Sequence, residues 1–305
     1  VTVPASPYGV PPLPPTSYGS GRATGKQVLS ASWQMLRQDR ELVWLPALGA
    51  LASLVAAGIF FVPGWFLGDA VGGGGDHSWA AGVGGVLAGA AATVVGIFFQ
   101  SALVVGANQR AEGGDPTLGS CLRAAWSLRG PIVKWGLLTA TVGMLIRALE
   151  QRFGFVASII GFLGGLAWAI ASFLAVPVLV AEGVGPIDAV KRSSELIKRT
   201  WGTSLRTTLR FGAIQVVLSL ACIVVGVVGA MAVASGSTGG EAIGIVMLLA
   251  AVAGFLAMAM VFAAIGGYAR ALIYRYASGQ PVPGIDPALF SGVFQPKRRS
   301  RRWTS

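Results

Sequence analysis

The sequence predicts an all-α integral membrane protein with six transmembrane helices, three amphipathic helices on the cytoplasmic interface and both termini in the cytoplasm. Three observations predict it. The chain is 54% hydrophobic and gathers that content into six long apolar runs. Its basic residues crowd into alternate gaps between those runs. A short amphipathic stretch recurs before the first, third and fifth runs.

The runs cover residues 42–62, 80–106, 131–146, 155–181, 211–234 and 242–267. Most reach the ~20 residues that an α-helix rising 1.5 Å per residue needs to cross ~30 Å of hydrocarbon. The third is short. Unpaired backbone amides are too costly in lipid for such runs to be anything but helical, and the period-2 alternation of a β-barrel is missing.

Charge orients the helices. Residues 1–41 carry Arg22, Lys26, Arg37 and Arg40, whereas the gap after the first run offers only Asp69, Asp76 and His77. Arg110, Arg123, Arg129 and Lys134 fill the next gap, and only Arg147 and Arg152 lie beyond the third run. Lys191, Arg192, Lys198, Arg199, Arg206 and Arg210 separate runs four and five, against Glu241 alone between five and six. Arg270, Arg275 and the tail complete the pattern. Basic residues stay on the cytoplasmic side, so an even number of crossings with both ends inside a bacterial cytoplasmic membrane is the consistent solution. The net charge of +11 is thereby accounted for without a nucleic-acid partner.

Residues 1–23 read as a disordered, proline-rich cytoplasmic tail. Pro4, Pro7, Pro11, Pro12, Pro14 and Pro15 stand where a cleavable signal peptide would need an apolar core. The segment is a solvated leader or a polyproline ligand for a partner's aromatic groove. Residues 24–278 form the six-helix domain, and 279–305 a basic cytoplasmic tail. In that tail Lys297, Arg298, Arg299, Arg301 and Arg302 precede Trp303. Cations near an anionic leaflet contribute about 1 kcal/mol each, so the cluster is a candidate lipid contact as well as a topological anchor. Cys121 falls on the cytoplasmic side and Cys222 inside a membrane helix, which argues against a disulfide between them.

The three amphipathic stretches align: Leu29 to Leu36 around Trp33, Leu122 to Arg129 around Trp126, and Val190 to Ile197 around Ser194. Each opens a unit of one interfacial helix and one helical hairpin, which suggests a three-fold repeat. Thr24 with Gln27 offers a capping box, Asp115 a cap before Pro116, and Pro186 with Asp188 a third helix start. In the third stretch Ile187, Val190, Ser194, Ile197 and Trp201 share one face. Lys191, Arg192, Lys198 and Arg199 then face water or headgroups, with Asp188–Arg192 and Glu195–Arg199 as i,i+4 pairs. Such helices lie flat in the interface or dock on a partner protein.

A resemblance rests on residues 175–198, with Pro177, Glu182, Pro186 and Ser193, and on Ser32 and Trp33 through Asp39, Arg40 and Glu41 to Leu45 and Pro46. Across residues 20–280 the chain resembles a bacterial family of multi-pass membrane proteins with no assigned function. It is similar in pattern to the membrane domain ahead of the catalytic domain in some glycerophosphoryl diester phosphodiesterases. The resemblance, with Pro177, Glu182 and Ser193 as its signature, implies a six-helix integral domain of unassigned role. No soluble phosphodiesterase domain is expected in these 305 residues, so that activity does not carry over.

No catalytic, metal or cofactor site is expected. The lone histidine, His77, follows Gly72 to Gly75 and Asp76 in a predicted outer loop, where Asp69, Asp76 and His77 could hold a metal only weakly. Gly236, Ser237, Thr238, Gly239 and Gly240 read as a turn, not a phosphate-binding loop. Arg147 and Glu150 are a candidate buried polar pair: Arg147 lies only ~20 Å beyond Lys134 along the helix, so it either snorkels or lines a polar pocket with Glu150. Glu182, after Pro177, could accept backbone amides or pair with a juxtamembrane arginine. The GxxxG spacings Gly85–Gly89 and Gly161–Gly165 suit close helix packing within the chain or between copies.

The function expected is therefore a non-enzymatic scaffold, assembly factor or lipid-interacting accessory. Its partners are membrane lipids and a membrane or cytoplasmic protein. The alternatives are a transporter or channel for a small or lipidic solute, and a lipid-acting enzyme using Glu150 or Glu182 as base, which would need a second polar group beside it.

Overall fold

The computed structural model describes residues 25–71, 78–200, 205–278 and 280. All regular structure among them is helical. Helix α1 (Gly25–Gln38) leads through a 3₁₀ turn (Arg40–Val43) into α2 (Trp44–Val71) and α3 (Ser78–Ala111). A short α4 (Leu118–Ser127) precedes α5 (Arg129–Ala171) and α6 (Ala175–Glu182). Then come α7 (Pro186–Thr200), α8 (Leu205–Ala234) and α9 (Thr238–Ala277). Six segments are long and apolar enough to cross a membrane: Arg40–Phe66, Gly82–Ala111, Arg129–Leu149, Ile159–Glu182, Ile214–Ala234 and Gly239–Arg275. The protein is multi-pass by that measure, and the segments match the six runs of the sequence.

The third and fourth spans depart from the sequence reading in how they join. The apolar runs break between residues 146 and 155, but helical backbone runs through α5 from Arg129 to Ala171. Arg147, Ala148, Leu149, Glu150, Gln151 and Arg152 are mostly strong helix formers and give the backbone no reason to stop. The chain nevertheless reverses. Trp135 and Trp168 stack with ring centroids 5.8 Å apart, whereas 33 residues of straight helix would separate them by about 50 Å. The reversal returns α6 to the level at which α5 began, and Leu174, Val178 and Leu179 join Ile132 and Trp135 in one core.

That core sits at one end of the bundle, here termed the base. Leu36, Leu42 and Leu45 from the chain entry meet Ala102 to Ala107 of α3, Cys121 and Ala125 of α4, Ala189 and Leu196 of α7, and Tyr268, Ala271 and Tyr274 of α9. Helices α3 and α9 run on past the apolar runs at 106 and 267 to Ala111 and Ala277. Hydropathy alone hid these extensions because they are built of mixed residues, and they form the centre of the base.

Elsewhere the helices show apolar side chains outward. Leu54 is 71% exposed, Val217 66% and Leu249 66%, as lipid-facing surface must be, since large apolar patches of this kind do not face water. Bare backbone lets helices approach there. Gly64 lies so close to Gly84 that a β-carbon on Gly64 would come within 2.7 Å of the Gly84 Cα, and one on Gly244 within 2.5 Å of the Gly229 carbonyl oxygen. The predicted Gly85–Gly89 spacing makes no such contact; both positions face open space. Helix spacing alone does not say which face meets a neighbour, and here it is the face carrying Gly84.

The turn between α8 and α9 is shorter than the glycines predict: Gly236 turns at φ +66°, but Thr238, Gly239 and Gly240 already belong to α9. Both cysteines are free. Thr24, Asp76, His77, Trp201, the proline-rich segment and Lys297 to Arg302 lie outside the described residues, as do the side chains of Gln27, Asp69, Glu150, Arg152 and Arg199. Arg147 is exposed on α5.

Candidate functional site

The polar residues that the fold brings together lie in the base. Asp39 ends α1: its N–H donates to the Met35 carbonyl at 3.3 Å and its own carbonyl accepts from Leu42 at 3.0 Å. This junction turns the side chain inward, where it is 1% exposed. Arg110 of α3 grips the carboxylate, its Nε donating to Oδ2 at 2.9 Å and Oδ1 at 3.0 Å while Nη2 also meets Oδ1. The Tyr268 hydroxyl of α9 donates to Oδ2 at 2.8 Å. Arg110 Nη2 also donates to exposed Asp115 at 2.7 Å. Asp115 is thus an ion-pair partner and not the predicted cap of α4. Thr117 takes that role in a capping box with Ser120, since the helix starts one turn-setting residue after Pro116.

A second arrangement repeats the chemistry. Glu182 closes α6, which stops at Gly183 in the left-handed conformation, φ +64°. Arg192 Nε donates to Glu182 Oε1 at 3.4 Å, and the Tyr274 hydroxyl donates to the same oxygen at 3.0 Å. Both charged side chains are buried, 7% exposed for Glu182 and 8% for Arg192. The expectation that Glu182 pairs with a juxtamembrane arginine therefore holds. That Arg192 faces water does not: it turns inward to Glu182, and Asp188 lies 4.0 Å from Lys191. Ile187, on the apolar face that the spacing predicts, is 61% exposed. Burying Arg192 with Ala189, Ser193 and Leu196 rotates the helix away from the apolar stripe that spacing suggested.

The residues of the sequence signature fit this latch. Ser193 Oγ accepts the Leu174 N–H at 3.1 Å, satisfying an amide where α6 begins. Pro177 falls in the first turn of α6, where a missing N–H leaves no intrahelical bond unmade. A third pair joins Glu112, just past α3, to Arg275 of α9 at 2.8 Å.

Helix α9 supplies Tyr268, Tyr274 and Arg275. Six residues of helix rotate a side chain to about 120° from its start, so the two tyrosines leave α9 toward different neighbours. Sequence reasoning passed over Asp39, Arg110, Tyr268 and Tyr274 as a group, because the partners stand far apart in the chain. One signal was present: three of the five tyrosines fall within residues 268–276, and a tyrosine hydroxyl buried beside apolar helices needs a partner.

Residues 90–282 match a family of unknown function, DUF6159. That is well over half of the 305 residues. The chain belongs to the DUF6159 family. The matched stretch holds both partners of the Glu182–Arg192 and Glu112–Arg275 pairs, and Arg110 and Tyr268 of the first latch, but not Asp39. No curated protein and no solved structure matches the chain.

Two further features of this DUF6159 member adjoin the base. The Cys121 thiol is buried in α4, and that burial pushes its pKa up, which keeps it protonated and slow as a nucleophile. A cavity of about 650 Å³ opens between α3, α4 and α5. Val94, Val95, Phe98 and Phe99 of α3 line it with Trp126 of α4 and Arg129, Gly130, Ile132, Val133 and Lys134 of α5. Among the described residues no three His, Cys, Asp or Glu side chains gather as a metal cluster.

Proposed function

We propose that this protein is a non-enzymatic, lipid-interacting scaffold or accessory of a bacterial cytoplasmic membrane, with its base on the cytoplasmic side. What carries the reading is how the base spends its charge: Asp39–Arg110–Tyr268 and Glu182–Arg192–Tyr274 lock the ends of α1, α3, α6, α7 and α9 together. Buried pairs of this kind fix geometry more than they add stability. They hold α1 and α7, with α4 packed on the same core through Cys121 and Ala125, as a rigid platform of interfacial amphipathic helices, each opening one repeat of a helix and a pair of spans. The excess of basic residues on that side supports the orientation.

The test is purification in native-membrane nanodiscs followed by mass spectrometry of proteins and lipids. Anionic lipid enrichment with a partner protein at fixed stoichiometry is the expected outcome. A membrane solute held in place of either would favour a transporter.

One observation favours a second reading. Glu182 Oε2 is buried with no hydrogen-bond partner among the described residues, and Tyr274 and Arg192 supply the polar neighbours that a lipid-acting base would need. Turnover of isotope-labelled phospholipid by purified protein, abolished by Glu182→Gln, would replace the scaffold reading with that one.

A further inference from the structure

We infer that the cavity between α3, α4 and α5 is a binding site for one anionic phospholipid, an inference that rests on the lipid-interacting reading above. Its walls are apolar: Val94, Val95, Phe98 and Phe99 face Ile132 and Val133 across a space of about 650 Å³, within the range of pockets that hold single ligands. Such walls suit an acyl chain and offer nothing to a soluble anion.

The polar groups lie at one rim. Arg129 sits over the Trp126 ring, 5.7 Å from its centroid, and its Nη1 donates to the Trp126 carbonyl at 3.3 Å. Trp126 is in turn held edge-on by Phe98 at 6.1 Å. The guanidinium is therefore oriented while most of its five N–H donors remain for a ligand. Lys134 lines the same cavity one and a half turns further into the span, and its flexible stem can carry the ammonium back toward headgroup level. Among the described residues neither cation forms an ion pair, unlike Arg110, Arg192 and Arg275 in the base. Helix α4 ends and α5 begins at this rim, with Leu128 closing one and opening the other, so the two helix dipoles oppose each other there and the positive charge is that of the two side chains. Two positive side chains above an apolar cleft are complementary to a phosphate with a tail.

The experiment is native mass spectrometry of the full chain from nanodiscs of mixed phosphatidylglycerol and phosphatidylcholine, with lipid exchange followed over time. The wild type is expected to retain one phosphatidylglycerol that exchanges slowly. The double variant Arg129→Ala/Lys134→Ala should hold it at least tenfold more weakly. Gly130→Leu should expel it with both cations in place. A β-carbon on Gly130 meets nothing within 4 Å, so the leucine enters the cavity without straining the helix. Retention of the slow lipid by both variants would overturn the site while leaving a lipid-interacting protein that binds elsewhere. No slowly exchanging lipid of either kind in the wild type would overturn the site and the lipid-interacting reading together. Equal retention of both lipids, lost in Gly130→Leu alone, would overturn the role of the two cations and with it the anionic assignment.

Discussion

Helix α9 passes through two different solvents along its length. Around Tyr268, Ala271 and Leu272 it is wholly enclosed by protein, while Leu249, five turns earlier, is 66% exposed. Helix α3 divides the same way: Ala102, Val104 and Ala107 are buried, whereas Val83, Val86 and Leu87 stand about half exposed. In each spanning window at most 22% of residues are buried inside the protein. The base is held as a soluble domain is, by a packed apolar core, and additionally by carboxylate–arginine–tyrosine latches. Along the spans, lipid tails are as apolar as the side chains, so cohesion there depends on close backbone contact, not on hydrophobic burial.

If the latches hold the base, breaking one partner should have the largest effect of any single change. Arg110→Leu leaves the Asp39 side chain, 1% exposed in the wild type, with one hydroxyl for company. Removing one member of a buried pair costs about 3–5 kcal/mol, so the variant should lose most of its folded yield in detergent and melt far below the wild type. Replacing both, Asp39→Asn with Arg110→Met, should recover a large part of that loss, since a neutral pair needs less solvation. A double variant as unstable as the single one would mean that the apolar core around Leu42 and Ala102 depends on the charge pair itself.

The spans were legible in the sequence and the base largely was not. Six runs appear because apolarity over about 20 residues is a one-dimensional signal, and the charge alternation is another. The latches need partners from α1, α3, α6, α7 and α9, and no spacing rule joins Asp39 to Tyr268 across the chain. Where a local signal existed it was partial. Pro177, Glu182 and Ser193 stood out together, yet Arg192, one residue from Ser193, was placed outward because a lysine–arginine pair on a short helix normally faces water. The course of α5 across residues 147–154 has no clear sequence signal for a related reason: polar residues interrupt the apolar runs there, while the same residues are helix formers that let the backbone continue. The lipid-like cavity had no sequence signal beyond Trp126, since Val94 to Phe99 look like any other stretch of membrane helix.

The next effect should fall on the glycine crossings. In Gly244→Ala the new methyl would meet the Gly229 carbonyl oxygen at 2.5 Å and the Val233 amide nitrogen at 2.7 Å. Backbone cannot yield as a side chain can, so α8 and α9 must separate. Overpacking of this kind costs about 1–3 kcal/mol, read as a lower melting temperature or as easier proteolysis between the two helices. Gly85→Ala is the control, because a β-carbon there meets nothing within 4 Å. Equal loss in both variants would mean that helix contact along the spans is not what Gly244 provides, or that Gly85 packs against a second copy.

The smallest effect should come from the largest exposed side chains, which reverses the rule for soluble proteins. Leu54→Ala and Val217→Ala remove apolar groups that are 71% and 66% exposed. If these face lipid, the lost contacts are with acyl chains in the folded state and in the unfolded but inserted chain alike, so stability should change by no more than about 0.5 kcal/mol. Leu42→Ala, with its side chain wholly enclosed in the base, should instead cost about 2–5 kcal/mol through the cavity left behind. Melting curves of the three variants in one detergent separate the two regimes. A loss at Leu54 or Val217 approaching that at Leu42 would place those residues in a protein interface, and the boundary between the two solvents would then have to move.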